Sequence, residues 1–253
     1  NMAKKPLVAF TIADNQPSNQ KMLKGFVNSL RKFHSEEELP LVIVDQAWLD
    51  KINDPGKFYR MTPMIARDLI REYEIVLEFD CDQIICGKLD HLWGANTTYD
   101  VGCVLNGNPK EPPYSVWDIH PAMYMNCGLV AMASPEFIYH WWNLCNSPHF
   151  NNYQFREQDL MNILYHYGNY DTKCFDASNN WHGLVSKGWW QSIETRGENL
   201  VLPKGDRQWP MDEDKVIKVI HFAGGQDPQK GNYHTKFSPE VVKHLNYLVG
   251  DKK

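Results

Sequence analysis

No apolar run in the chain approaches the ~18–20 residues that a membrane-crossing helix requires. The N-terminus lacks the basic, then apolar, then small-residue layout of a signal peptide. Asn1 ahead of Met2 reads as a vector remnant, with Met2 as the natural start. The six cysteines (Cys81, Cys86, Cys103, Cys127, Cys145 and Cys174) contain no CxxC pair. In a chain of this size they read as reduced, mostly buried thiols, which favours a cytoplasmic protein over a disulfide framework. There is no basic surplus: net charge is −5 and the pI is about 6.1, which argues against a general nucleic-acid binder. No GxGxxG follows the first apolar run and no GxxxxGK[ST] occurs, which disfavours a dinucleotide-dependent oxidoreductase and an NTPase. No repeat, low-complexity tract or clear linker interrupts the chain, so residues 1–253 read as a single domain.

What is present suffices for a sizeable core: 43% of residues are hydrophobic and only 23% charged. Apolar runs at Leu7–Ile12, Leu41–Val44 and Ile75–Phe79 read as buried strands. Between them Met22, Leu23, Phe26, Val27, Leu30 and Phe33 have helical spacing, and Thr62-Pro63 reads as the start of a second helix. Alternating strands and helices predict an α/β fold with a parallel sheet. Val101–Leu105 and Cys127–Ala133 read as further strands. The segment 106–121 holds four prolines and reads as a loop. Ser134-Pro135-Glu136 and Ser238-Pro239-Glu240 are helix openings, a capping Ser followed by Pro in the first turn. Another helix runs from Glu157 to His166, and Val216–Phe222 reads as one last strand.

The sharpest chemical feature is Asp80-Cys81-Asp82, placed where an apolar strand runs out. Ligands of open α/β sheets bind at the carboxyl ends of strands. Two adjacent carboxylates repel, and a shared divalent cation relieves that repulsion. His221 closes another apolar run, and Ala223-Gly224-Gly225 follow it. Imidazole with two carboxylates suits Mn²⁺, with Mg²⁺ as the alternative. Exposed glycine N–H groups and Lys230 suit a phosphate. Taken alone, the two acids are most simply solvated loop residues and His221 a core or capping histidine.

The segment Ile75 to Trp93, IVLEFDCDQIICGKLDHLW, resembles the DxD region of GT-A-fold nucleotide-sugar glycosyltransferases, most closely the glycogenin and lipopolysaccharide-galactosyltransferase family (family 8). Three further stretches match in order: Met125–Val130 the "Asn-x-Gly" strand, Glu157–Asn162 the "Asp-Gln-x-x-Leu-Asn" helix start, and Ile220–Gly224 the "His-Phe-x-Gly" motif. Phe10 to Asn15 is similar to the nucleotide-base strand. The resemblance implies a GT-A (Rossmann-like), mixed, mostly parallel central sheet flanked by helices. It also implies metal-dependent, retaining transfer of a sugar from a nucleoside-diphosphate donor, a UDP-sugar, to a glycan or other acceptor hydroxyl. The implied metal ligands are Asp80, Asp82 and His221. Thr11, Ala13, Asp14, Arg60, Cys81, Gly224 and Lys230 would join Asp80 and Asp82 in holding the donor, with Arg67 an alternative to Arg60. Asn126, Glu157 and Gln158 would act at the sugar.

Two departures stand out: Glu157 replaces the family's Asp, and Gly225–Lys230 replaces its Lys-Pro-Trp. They keep open a non-catalytic sugar-nucleotide or glycan binding protein. A haloacid-dehalogenase-type phosphatase also uses Asp-x-Asp after an apolar strand. That fold, however, puts the motif on its first strand, whereas here two strands precede it. Trp117, Trp181, Trp189 and Trp190 lie in irregular segments and would suit a saccharide-stacking platform, while Trp141 and Trp142 read as structural. The oligomeric state is not legible.

Overall fold

The computed structural model describes residues 3–52, 57–94, 98–108, 110–182, 192–204, 213–223 and 237–250, with the side chains of 57–60, 181 and 182 outside that set. In chain order the strands begin with β1 (Lys5–Ile12), β2 (Leu41–Val44), β3 (Tyr73–Phe79), β4 (Gln83–Ile85), β5 (Val101–Leu105) and β6 (Met125–Met132). They continue with β7 (Thr172–Phe175), β8 (Trp181–His182), β9 (Glu194–Arg196), β10 (Asn199–Leu202), β11 (Lys215–Val216) and β12 (Val219–His221). The α-helices are α1 (Pro17–Phe33), α2 (Gln46–Asp50), α3 (Lys57–Leu69), α4 (Pro135–Cys145), α5 (Arg156–Tyr167) and α6 (Pro239–Val249). These elements form two compact units. The first comprises residues 1–14, 39–79 and 91–175, the second 15–38, 80–90 and 176–253.

The first unit is built on a six-stranded sheet of order β2-β1-β3-β6-β5-β7. β1 pairs in parallel with β2 and β3, and β5 with β7, while β6 runs antiparallel to both β3 and β5. The sheet is therefore mixed and mostly parallel, as expected. Unbroken apolar runs suit strands covered on both faces, and Val8, Ala9, Phe10, Val76 and Leu77 are all fully buried. One core cluster joins Val8, Phe10, Val76, Val101 and Val130 of the sheet to Ile65 of α3, Phe137 and Trp141 of α4, and Leu160 and Met161 of α5. The α4 opening forms as its sequence predicts: Ser134 Oγ accepts from Phe137 N at 3.2 Å. Ser134→Ala leaves that N–H without its cap, and we expect it to cost about 1 kcal/mol, read as a lower midpoint in urea unfolding with unchanged slope.

Two expected boundaries differ. α3 begins at Lys57, so Pro63 lies inside the helix rather than at its start. Apolar contacts on both sides of Pro63 (Met61, Ile65, Ala66, all buried) hold the helix through the proline. Val216–Phe222 is not one strand. Lys215–Val216 pairs with β10, whereas Val219–His221 pairs with β4 and β8. The chain changes sheets at Ile217-Lys218, where Ile217 N donates to Leu200 O (2.8 Å) and Lys218 N to Ser178 O (2.8 Å).

The second unit holds two three-stranded sheets, β11-β10-β9 and β4-β12-β8. Its own core gathers Ile84, Ile220, Leu200, Phe222, Phe237, Val241 and Leu245. α1 supplies the polar anchors for β4 and the turn after it. Ser29 Oγ accepts from Ile85 N (2.9 Å) while donating to Phe26 O (2.8 Å). The His34 ring accepts from Leu89 N through Nε2 at 3.0 Å. Both side chains are buried, and removing either would strand a backbone N–H away from water.

Candidate functional site

The register between β12 and β4 assembles the site. The two strands are antiparallel, with Ile220 opposite Ile84 and His221 opposite Gln83. Phe222 N extends the ladder to Asp82 O at 3.0 Å. Residues far apart in sequence are thus pinned side by side by backbone bonds. His221 Nε2 lies 3.0 Å from Asp82 Oδ1 and 3.3 Å from Asp80 Oδ2. One ligand atom from each of the three falls within 4.8 Å of the others, and no other such cluster of acidic, His or Cys groups exists among the described residues.

The electrostatics suit a cation. The His221 ring is buried, with its side chain only 3% exposed, whereas Asp80 is 45% and Asp82 25% exposed. Burial alone would lower the imidazole pKa, but the charges and hydrogen bonds of Asp82 and Asp80 outweigh it and raise the value to about 10. Without a metal, a proton on His221 is therefore the positive charge that the carboxylates hold. Apart from that ion pair, no hydrogen bond from the described residues reaches the buried Asp82 Oδ1. Two hard oxygens, one imidazole nitrogen and an acceptor otherwise unsatisfied fit a divalent ion with mixed O/N preference.

In the first unit the structure brings Asn126 and Gln158 to the same end of β6. Gln158 Oε1 accepts from Cys127 N (2.9 Å), and Asn126 Oδ1 accepts from Gly128 N (2.7 Å). Asn126 Nδ2 donates to Asn106 Oδ1 at 3.0 Å. Glu157 is held through its carbonyl, which accepts from Trp141 Nε1 at 2.9 Å. Asn162 holds the first residue of β6, accepting from Met125 N (2.7 Å) and donating to Met125 O (2.9 Å). Just before Glu157, Arg156 sits in the left-handed region at φ 43°, a strained setting for a non-glycine residue at the mouth of α5.

Thr11 and Ala13 are buried at the carboxyl end of β1, with Asp14 partly exposed. Thr11 Oγ1 is buried, with no hydrogen-bond partner among the described residues. Cys81 is half-buried between the two aspartates. The Arg67 guanidinium lies 4.7 Å from the Trp142 ring centroid. The Arg60 side chain, Gly224 and Lys230 lie outside the described residues. So do Trp189, Trp190 and the Trp181 side chain. Trp117 is exposed, and its ring meets Tyr167, while Trp141 is buried, as expected.

None of the six cysteines is in a disulfide. Cys86, Cys103 and Cys145 are buried, and burial pushes the Cys86 thiol up to about 12. No helix among the described residues is long and apolar enough to cross a membrane.

Sequence reasoning missed Tyr114, Tyr124 and Asp159. Asp159 is fully buried in α5 and accepts from Tyr114 OH (2.5 Å), Tyr124 OH (2.6 Å) and Phe155 N (3.1 Å). The signal was present, an acid inside the apolar face of a helix. Its tyrosine partners sit in and beside the proline-rich segment, which has no periodicity to read.

No family model matches the chain, and no curated protein does. Solved structures do. The fold is similar to that of the galactosyltransferase LgtC in complex with donor and acceptor sugar analogs, with TM-score 0.64 at 14% identity over 96% of this chain and 95% of that chain. A glycosyltransferase involved in glycosylation of the major capsid of PBCV-1 gives TM-score 0.56 at 11% identity, over 91% of this chain and 100% of that one. The glycosyltransferase GlyE of Streptococcus pneumoniae TIGR4 gives 0.55 at 12% identity, over 98% of this chain and 64% of that one. At such identities the property held in common is architecture: this chain has the GT-A, Rossmann-like α/β fold of solved glycosyltransferases.

Proposed function

We propose that the chain is a metal-dependent glycosyltransferase that moves a sugar from a nucleoside-diphosphate donor, a UDP-sugar, to a glycan or other acceptor hydroxyl, with retention at the anomeric carbon. Residues 1–253 would serve as one GT-A-like domain in the cytoplasm. The observation that carries the reading is the convergence of Asp80, Asp82 and His221 at the end of β3 and across the β4–β12 ladder. These three would hold Mn²⁺ or Mg²⁺, and the ion would act as a Lewis acid on the departing diphosphate.

The remaining roles belong to the chain's own groups. Thr11, Ala13 and Asp14 would line the base and ribose end of the donor. Arg60, Cys81, Gly224 and Lys230 would bind the donor, the two cations among them neutralising diphosphate charge. Asn126, Glu157 and Gln158 would orient the sugar through its hydroxyls. Asn126 and Gln158 are already fixed by hydrogen bonds to β6 and its neighbours, so little orientational freedom is lost when substrate arrives. NMR of the product anomer reads retention directly.

The phosphatase alternative has no support from the fold, and a generic aryl phosphate left uncleaved would close it. The test of the proposal is a panel of nucleoside diphosphates with Mn²⁺, read by thermal shift. One base should stabilise the chain well above the others, by about 2.7 kcal/mol at a hundredfold excess over Kd, and a chelator should abolish the effect. No metal-dependent stabilisation by any of them would refute the proposal. Binding without transfer or hydrolysis would instead favour the non-catalytic sugar-nucleotide binder.

A further inference from the structure

Gln158 is held by a directional relay. A carboxylate accepts and never donates when ionised, and the Asp159 carboxylate already receives two phenol O–H groups and one backbone N–H. Tyr124 therefore spends its single proton on Asp159 Oδ1 at 2.6 Å. Its oxygen is left to accept from Gln158 Nε2 at 3.3 Å. That fixes which end of the amide is which: Nε2 faces Tyr124 and Oε1 receives Cys127 N–H at 2.9 Å. Burial and the neighbouring carboxylate both hold the Tyr124 phenol well above its ordinary pKa, so the phenol keeps its proton; burial raises the Asp159 carboxyl too, opposed by the hydrogen bonds from Tyr114, Tyr124 and Phe155 that favour its ionised form. Asp159 is itself anchored from a second side by Tyr114, whose hydroxyl also accepts from Phe155 N at 3.0 Å, the residue just before α5. A glutamate at 158 would set an acceptor against the phenol oxygen with no proton between them.

We infer that Asp159 and Tyr124 are positioning residues, which hold the Gln158 amide in one orientation at the end of β6. The inference rests on the proposed sugar transfer, in which Gln158 acts at the donor sugar. The relay serves the transition state more than donor binding, because a misdirected amide still fills the same space.

Tyr124→Phe is the suitable variant, since it removes one oxygen and leaves Asp159 two donors, whereas Asp159→Ala would strand the buried Tyr124 phenol and the half-buried Tyr114 phenol. With Mn²⁺ and the donor selected by thermal shift, we expect Tyr124→Phe to lower kcat about 10- to 100-fold with donor KM little changed. In a Gln158→Ala background the same substitution should cost nothing further. Equal losses in both backgrounds, or no loss in the native one, would overturn the inference. If the native chain transfers no sugar, the proposed function fails, yet the relay is still readable. Tyr124→Phe should shift the Gln158 side-chain amide protons and the Cys127 amide proton in ¹H–¹⁵N spectra, and unmoved signals would overturn it.

Discussion

Asp80→Ala and Asp82→Ala should each lower metal-dependent turnover by about 10³-fold or more while leaving the melting temperature within a few degrees of the native chain. Both parts of that expectation follow from exposure. The Asp80 side chain is 45% and the Asp82 side chain 25% exposed, so neither fills a core position whose loss would open a cavity. Their contribution to folding is confined to the pairing with His221, and each single variant leaves His221 one carboxylate. On the proposed reading their contribution to cation binding would be far larger, because two of the three candidate ligand atoms come from them. Steady-state turnover with a saturating donor, beside a thermal melt of each variant, separates the two effects. Near-native turnover by either variant would count against the assignment.

The second large effect is proton-linked. In the metal-free chain His221 titrates at about 10 instead of its ordinary 6.5, because Asp82 and Asp80 more than offset burial. Between these values the folded, metal-free chain carries a proton that a metal at Nε2 must displace. Metal affinity should therefore rise about tenfold per pH unit across that window, and binding should release about one proton. Calorimetry in two buffers of different ionisation enthalpy measures the release, and pH-independent binding would contradict it. The sign for stability is the reverse. A folded-state pKa above the unfolded value stabilises the metal-free chain fully below about 6.5, and that contribution is lost as pH rises through about 10.

Much of this was legible in the residues, for reasons that differ by element. β1, β2 and β3 were readable because an apolar run of strand length leaves few alternatives. The two Ser-Pro-Glu openings were readable because capping is local: Ser134 and Ser238 accept from Phe137 N and Val241 N in their own first turns. Asp80 and Asp82 were visible as a pair by adjacency. Their partnership with His221 was readable only as donor chemistry and as resemblance, because the β12–β4 register that joins residues about 140 apart leaves no local signal. The change of sheets at Ile217-Lys218 was hidden inside a continuous apolar run, since composition does not say which neighbour a strand will choose. The Asp159 relay was hidden for a similar reason: Tyr114 and Tyr124 lie 45 and 35 residues before their acceptor.

Nitrogen coordination to bound Mn²⁺ tests the account most directly. Electron spin-echo modulation on the Mn²⁺-loaded chain with a nucleoside diphosphate should show ¹⁴N coupling from one imidazole, absent in His221→Ala. Manganese bound with no such coupling, or with coupling that survives His221→Ala, would contradict it.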